Sequence, residues 1–149
     1  MRIVVLAGGL SSERDVSILS GSKIAEALRS KGHKVVLLDV YMGYEEEVCD
    51  IDSLFENNYD FAGDAVIERE EPDIEAVKKS RKNQSNDYFG DHVLDICRAA
   101  DIVFLALHGE EGENGKLQAL FDIHGIRYTG SGYLGSAMAM DKSLTKILL

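Results

Sequence analysis

The sequence predicts an α/β fold in which an open parallel sheet carries helices on both faces. Nearly continuous apolar runs such as RIVVLA and HKVVLLDVY are typical of parallel strands that are buried on both faces. Segments with a helical spacing of apolar residues alternate with these runs. A pair of glycines follows the first run, where a Rossmann-like fold places its ligand-binding turn. These three observations predict a Rossmann-like sheet with a ligand site at the carboxyl ends of its strands.

The first part of this alternation is a strand, a helix and a second strand. RIVVLA, residues 2–7, forms the predicted first strand. The helix covers residues 15–30 and ends before Gly32, and its apolar residues recur with roughly helical spacing at Val16, Leu19, Ile24, Ala27 and Leu28. HKVVLLDVY, residues 33–41, forms the second strand.

The same alternation resumes in the last third of the chain. DHVLDICRAA (91–100) predicts a helix, and DIVFLALHG (101–109) predicts a third buried strand. GKLQALFDIHG (115–125) predicts a short helix closed by a glycine, and IRYTG (126–130) predicts a fourth, short strand. Because crossovers between parallel strands are right-handed, the strand-to-helix loops are expected at one edge of the sheet.

An insertion, residues 43–87, interrupts the alternation after the second strand. It has thirteen acidic residues from Glu45 to Glu75 against a single arginine, Arg69. We expect a solvated segment with a short strand at DAVIER, a short helix at 72–82 and a solvated loop at its end. An acidic docking surface is the alternative. The insertion is expected to lie away from the ligand site, although it leaves from the same sheet edge and part of it could overhang that site.

Composition and charge exclude several classes of protein. A formal net charge of -10 and a pI near 4.8 argue against nucleic-acid binding, which needs clustered Lys and Arg. No apolar run approaches the ~20 residues of a membrane span, and the first run is shorter than the ~7–15 residues of a signal sequence. We therefore expect a cytoplasmic protein. Cys49 and Cys97 lack metal-type spacing, so both are expected to be reduced, with Cys97 in a helix core. No residue is predicted to bind a metal.

Two segments contain candidate functional residues. In VVLAGGLSSERDVS, Glu13 lies at the start of the first helix, where a phosphate would be expected to bind, so a positively charged ligand is indicated. In FLALHGEEGENGKLQ, His108 follows the third strand. Both loops leave carboxyl ends of parallel strands, so Glu13 and His108 are expected to face one cleft. The alternatives are an acid that favours the helix dipole and a histidine with a structural hydrogen bond.

Three ordered blocks of the sequence resemble D-alanine–D-alanine ligases of bacterial cell-wall synthesis, in the ATP-grasp superfamily. The blocks are GGLSSERDVSILSG (8–21), DIVFLALHGEEGENGKLQALFDIHGIRYTGSG (101–132) and GSAMAMDKSLTKILL (135–149), about two fifths of the chain. The family usually has an aspartate where Asn114 stands, which changes the local charge but keeps a helix-capping side chain. The resemblance implies an amino-terminal substrate-binding domain, the pre-ATP-grasp domain, at 1–131, and the truncated start of the central domain at 132–149.

The resemblance also implies the chemistry. Glu13 is expected to hold the ammonium of the first D-alanine, His108 to lie beside the carboxylate of that substrate, and Lys142 to bind ATP phosphate. ATP would phosphorylate the first D-alanine, and the amine of the second would attack the acyl phosphate, producing a peptidoglycan precursor. ATP and Mg²⁺ belong to the full-length enzyme, so this chain alone is expected to bind neither firmly and to be inactive. Without the resemblance, Lys142 would be interpreted as an exposed helix lysine.

Two other functions and one assembly are left open. A ligase that joins D-alanine to D-serine or D-lactate has the same motifs, and a non-catalytic small-molecule-binding module of this fold could also retain them. A homodimer is expected because the end of the chain is apolar, and the segment is expected to fold back as helices or to pair with a second copy. The apolar residues concerned are Leu134, Met138, Met140, Leu144, Ile147 and Leu148.

Overall fold

The structure is a computed structural model that describes residues 1–47, 50–63 and 72–149. Its helices and strands follow one another along the chain as β1 (Arg2–Ala7), α1 (Arg14–Ser30), β2 (Lys34–Asp39), α2 (Ile51–Glu56), α3 (Ile74–Ser80), α4 (Val93–Arg98), β3 (Ile102–Leu105), α5 (Glu110–Glu113), α6 (Lys116–Ile123), α7 (Tyr133–Met140) and α8 (Lys142–Leu148).

The sheet has the order β2-β1-β3, and both strand pairs are parallel. Because side chains alternate along a strand, β1 supplies a core on each face. Val4 and Leu6 pack in a cluster with α2, α4 and α6, while Ile3, Val5 and Ala7 pack against α1. The predicted α/β class, with a parallel sheet covered on both faces, is confirmed. β1 and β3 are neighbours, so the loops that follow them share one edge of the sheet.

The predicted fourth strand is wrong in extent, because IRYTG forms an isolated parallel bridge rather than a strand. The bridge joins Tyr128 to Val103, whose backbone N–H donates to the carbonyl of Arg127 at 2.8 Å and whose carbonyl accepts from Thr129 at 3.0 Å. The next ladder position is occupied by a side chain, since the backbone N–H of Leu105 donates to Thr129 Oγ1 at 3.2 Å. Because the Thr129 hydroxyl takes the place of a backbone carbonyl as the acceptor, the backbone pairing ends after one bridge.

The insertion is less solvated than its composition predicts. The predicted helix near its end is present as α3, and the predicted strand at DAVIER lies outside the described residues. An unpredicted helix, α2, begins at an Asp50 cap and buries Leu54 and Phe55 in the core. Two apolar residues one after the other are a weak pattern, so the sequence did not reveal that this segment completes one face of the sheet.

The loop at the end of the insertion is largely exposed, as predicted, but it is organised around one buried arginine. Arg81 is only 2% exposed, and its guanidinium packs over the ring of Tyr41 at 4.1 Å from the ring centre. The same group donates to the carbonyls of Asn83, Ser85 and Asp87 at 2.6, 2.5 and 2.8 Å. One side chain thus satisfies the carbonyls of a loop that has no ladder of its own.

α4 buries Cys97 as the sequence predicts. The residue is 1% exposed, and this burial raises the pKa of its thiol to about 12. A thiol with so high a pKa stays protonated near neutral pH and behaves as a small apolar core residue.

The last two helices lie at the margin of the domain. α7 packs against α5 and α6, and α8 packs against α7, so the expectation that this segment forms helices on the domain is confirmed. Several of its apolar side chains remain exposed, with Leu134, Ile147 and Leu148 at 59%, 80% and 56%. Among the helices that the structure describes, none is long and apolar enough to cross a membrane.

Candidate functional site

The first loop, residues 8–13, connects β1 to α1 and carries Glu13. It opens with Gly8 and Gly9 at φ values of +78° and +83°, a backbone conformation that disfavours residues with a Cβ. Glu13 is the residue that precedes α1, and its exposed side chain makes no capping hydrogen bond. In the part of the chain that the structure describes, no ion pair involves Glu13. Its carboxylate is therefore available to a cation at the mouth of the helix.

The loop after β3 touches the first loop. Ser11 Oγ donates to the carbonyl of His108 at 2.8 Å and accepts from the backbone N–H of Glu13 at 3.2 Å. A Cβ placed on Gly109 would lie 2.6 Å from Ser11 Cβ and 3.7 Å from Glu13 Oε2. The Glu13 carboxylate thus lies beside the backbone at Gly109, next in the chain to the half-buried His108. Two sequence-predicted residues, Glu13 and His108, belong to loops in direct contact at one edge of the sheet.

A second link joins the same two strand ends from inside. The backbone N–H of Gly8 donates to Ser17 Oγ at 2.9 Å, and that hydroxyl donates to the carbonyl of Ala106 at 2.8 Å. Ser17 is fully buried on the first turn of α1. Sequence reasoning missed it, because serine on a helix is ordinarily exposed, and only the buried setting reveals its role.

The opposite flank of the first loop contains a buried ion pair. Arg14 Nη2 pairs with Asp39 Oδ2, and Arg14 Nη1 donates to the carbonyl of Gly9 at 2.7 Å. Arg14 is 8% exposed and Asp39 is fully buried at the end of β2. The sequence offered one signal for this pair, a lone acid in an otherwise apolar strand, and sequence reasoning did not use it.

Tyr88, which follows the insertion, covers the first loop. A Cβ on Gly9 would lie 2.8 Å from Tyr88 Oη. Burial raises the pKa of Tyr88, and the nearby carboxylates of Glu111 and Asp39 raise it further. Tyr88 lies just beyond the insertion at 43–87, so the expectation that the insertion lies away from Glu13 stays a prediction.

Lys142 belongs to a different part of this surface. It is the exposed first residue of α8 and lines a cavity of about 610 Å³ with Asn114, Ala137, Met140, Asp141 and Ser143. The residues that line this cavity do not include Glu13 or His108. Asn114 lies in the segment that starts at His108, so the two regions are connected through the α5–α6 turn.

The described residues do not fit a magnesium site. No three His, Cys, Asp or Glu side chains among them come together in a way that could hold a metal ion. Asp141, the acid that precedes Lys142 in the chain, caps a helix, because its Oδ1 accepts from Ser143 N at 3.0 Å and Leu144 N at 2.9 Å. For phosphate, the described residues of α8 offer two exposed cations, Lys142 at its start and Lys146 one turn further on. No reaction step through Mg²⁺ is derived from these residues.

These residues define an α/β domain with a carboxylate at the mouth of its first helix, at the carboxyl edge of a parallel sheet. The family model described as D-ala D-ala ligase N-terminus matches residues 2–131. The chain belongs to this family, the amino-terminal domains of D-alanine–D-alanine ligases.

Relatives with this name cover nearly the whole chain. A D-alanine–D-alanine ligase of Lacticaseibacillus casei is 47% identical over 150 residues, which is 98% of this chain and 41% of that relative. The ligase of Pediococcus pentosaceus is 46% identical over 155 residues, 100% of this chain and 42% of the relative. The chain therefore spans about two fifths of the length of the curated relatives it matches.

A solved structure agrees with the fold. The D-alanine–D-alanine ligase of Bacillus anthracis complexed with ATP matches with a TM-score of 0.58 and 26% identity, covering 100% of this chain and 35% of that one. The resemblance found in the sequence motifs is confirmed by the family model, by the relatives and by the solved structure. The roles of Glu13, His108 and Lys142 stay predictions.

Proposed function

We propose that this chain is the amino-terminal, substrate-binding part of an ATP-dependent D-alanine–D-alanine ligase of the ATP-grasp superfamily. The observation that carries the proposal is the Glu13 carboxylate at the mouth of α1, which lies beside the backbone of Gly109 and forms no ion pair with a described residue. In the full reaction the carboxylate of one D-alanine is phosphorylated by ATP. The amine of a second D-alanine then displaces phosphate, and the resulting amide is a precursor of peptidoglycan.

Glu13 would hold the ammonium of the first D-alanine. A cation at a helix N-terminus is disfavoured by the helix dipole, so a carboxylate must stand between the two. Glu13 occupies that position at the start of a 17-residue helix. In water an exposed pair of this kind contributes only ~1 kcal/mol or less, so its strength depends on how far the bound substrate is shielded from solvent.

His108 would lie beside the carboxylate of the same substrate. Its backbone carbonyl is already bonded to Ser11, which fixes the main chain at this residue. A zwitterion needs an acid for its ammonium and a donor for its carboxylate, and the two touching loops carry one of each. This pairing of opposite groups on loops in contact supports D-alanine as the substrate class.

Lys142 would contact ATP phosphate, and ATP and Mg²⁺ would be held mainly by parts of the ligase other than this chain. We place the substrate-binding domain at 1–131 and the start of the central domain at 132–149. A cytoplasmic homodimer, with no nucleic-acid or membrane partner, fits the acidic charge and the apolar side chains left exposed on α7 and α8. A ligase for D-serine or D-lactate as second substrate is the alternative, because it has the same motifs.

The test is an assay of the full-length ligase encoded with this chain. We expect ATP-dependent formation of D-alanyl-D-alanine, with D-serine and D-lactate as weaker second substrates. The purified 149-residue chain should show no ligase or ATPase activity, because its described residues do not assemble a metal site for phosphoryl transfer. A full-length protein that binds D-alanine without ATP-dependent product would instead support a non-catalytic binding module.

A further inference from the structure

Arg14 immediately follows Glu13 and is held in a fixed position by two other segments. Its guanidinium reaches back to the carbonyl of Gly9 at 2.7 Å and across to the carboxylate of Asp39. The side chain of Arg14 is about one tenth exposed and that of Asp39 is completely buried. The first residue of α1 is thus bonded both to the start of the first loop and to the end of β2.

The Asp39 carboxylate connects the same loop to the chain beyond β2. Its Oδ1 accepts from the backbone N–H of Tyr41 at 2.9 Å, of Met42 at 3.2 Å and of Gly9 at 3.4 Å. Its Oδ2 pairs with Arg14. Gly8 leaves room for this carboxylate, because a Cβ at that position would overlap it. Both oxygens therefore have partners, and the buried charge is fully paired.

Buried ion pairs are weak stabilisers, because desolvation offsets most of the attraction between the charges. A hydrophobic pair of similar volume could fill the same space, so stability alone does not account for Arg14 and Asp39. Their bonds do fix geometry. Together with the bond from Ser11 to the carbonyl of His108, they hold Glu13 between two anchored neighbours, one on the β2 side and one on the β3 side.

We propose that Arg14, paired with Asp39, is a positioning residue for the amine-binding carboxylate of Glu13. It fixes the backbone from Gly9 to Glu13, so that the carboxylate is already aimed at the ammonium before the substrate binds. The inference rests on the proposed function, because it assumes that Glu13 binds the first D-alanine. Arg14 itself does not touch the substrate.

The test compares Arg14→Lys with Arg29→Lys in the full-length ligase. Arg29 is a matched control near the other end of α1, where it pairs with Asp60 at 2.8 Å and donates to carbonyls of Val35 and Tyr59. Lysine keeps the charge at either position and loses the two-pronged geometry. We expect Arg14→Lys to raise the KM for the first D-alanine about tenfold, within the ~100-fold that a ~1 Å misplacement can cost. The KM for ATP should change less than about twofold, and Arg29→Lys should leave both constants near wild type.

A second variant covers the case in which Arg14→Lys does not fold. Arg14→Met combined with Asp39→Asn removes both charges and leaves neither buried alone. Circular dichroism and thermal unfolding would establish that it folds, and the KM for the first D-alanine should again rise. A wild-type KM in this folded variant would overturn the positioning role, and so would an equal rise in Arg29→Lys. Glu13→Gln separates the two proposals: if it leaves the KM unchanged the proposed substrate role fails, whereas a rise in Glu13→Gln alone refutes only the role of Arg14.

Discussion

The first loop and the last two helices carry the two ends of the proposed active surface, and they are built in opposite ways. The loop of Glu13 is bonded to both neighbouring strand ends through Arg14 and Ser17. Lys142 lies on α8, where exposed apolar side chains such as Ile147 face solvent. The proposed amine-binding group is thus held in a fixed loop within this chain. The phosphate-binding candidate stands on a segment whose apolar face remains uncovered in the structure.

The difference between the first loop and the last two helices indicates which part of the proposed site depends on the stability of this domain. A site fixed by buried hydrogen bonds and ion pairs is already ordered before the ligand binds. Its affinity is therefore lowered little by the entropic cost of ordering the site. A cation on an exposed helix must be ordered by something packed against it. We therefore expect substitutions in the first loop to affect the stability of the domain, and substitutions in α7 and α8 to affect mainly local order.

The largest effect is expected for Asp39→Ala. It leaves the Arg14 guanidinium buried without its charge partner, so the free energy of unfolding should fall by about 3–5 kcal/mol. The matched variant Asp141→Ala removes a helix cap from α8 and should cost about 1 kcal/mol or less. Urea denaturation of both variants measures the difference. Equal losses would show that the two regions are equally coupled to the core.

Ser17→Ala should have an intermediate effect. It leaves the backbone N–H of Gly8 and the carbonyl of Ala106 buried without their partner, at a cost of about 1–3 kcal/mol. Ser136→Ala is the control in α7, where the hydroxyl makes only a 3.4 Å contact with the carbonyl of Ser131, and should change stability by less than about 0.5 kcal/mol. If Ser136→Ala lowered the unfolding free energy as much as Ser17→Ala in the same denaturation experiment, the proposed difference between the first loop and α7 would be wrong.

The smallest effect on stability is expected at high pH through Tyr88. Its pKa is raised above the ordinary 10.0, mainly by burial. The stability that the neutral phenol contributes is therefore complete below pH 10 and is lost as the pH rises through the folded pKa. Tyr88→Phe should make the fall in unfolding free energy between pH 9 and pH 11 shallower. If the unfolding free energy fell equally steeply with pH in the variant and the wild type, Tyr88 would not contribute to the pH dependence of stability.

Local pattern predicted the elements that rest on one strong periodic signal. β1, β2, β3 and α1 follow from continuous apolar runs and helical spacing, and their order places Glu13 and His108 at one edge. The family motifs supplied the roles that are proposed for these two residues.

Residues whose role depends on a distant partner could not be predicted in this way. Arg81 belongs to a polar run that looks solvated, yet it is buried because the carbonyls around it need a donor. Arg14 pairs with Asp39, which lies 25 residues away along the chain. The fourth strand stopped at one bridge because Thr129 Oγ1 replaced a backbone acceptor, a competition that strand propensity does not describe.

The central claim is that Glu13 binds the ammonium of the first D-alanine, and one substitution in the full-length ligase tests it directly. Glu13→Gln keeps the shape of the side chain and removes its charge, so the KM for the first D-alanine should rise at least ~30-fold, the equivalent of ~2 kcal/mol. Asp15→Asn, on the first turn of the same helix, should change that KM less than about twofold, because an acid in the first turn favours the helix dipole without being the proposed ammonium ligand. An unchanged KM in Glu13→Gln, or an equal rise in Asp15→Asn, would contradict the account and leave Glu13 as an acid that stabilises the start of α1.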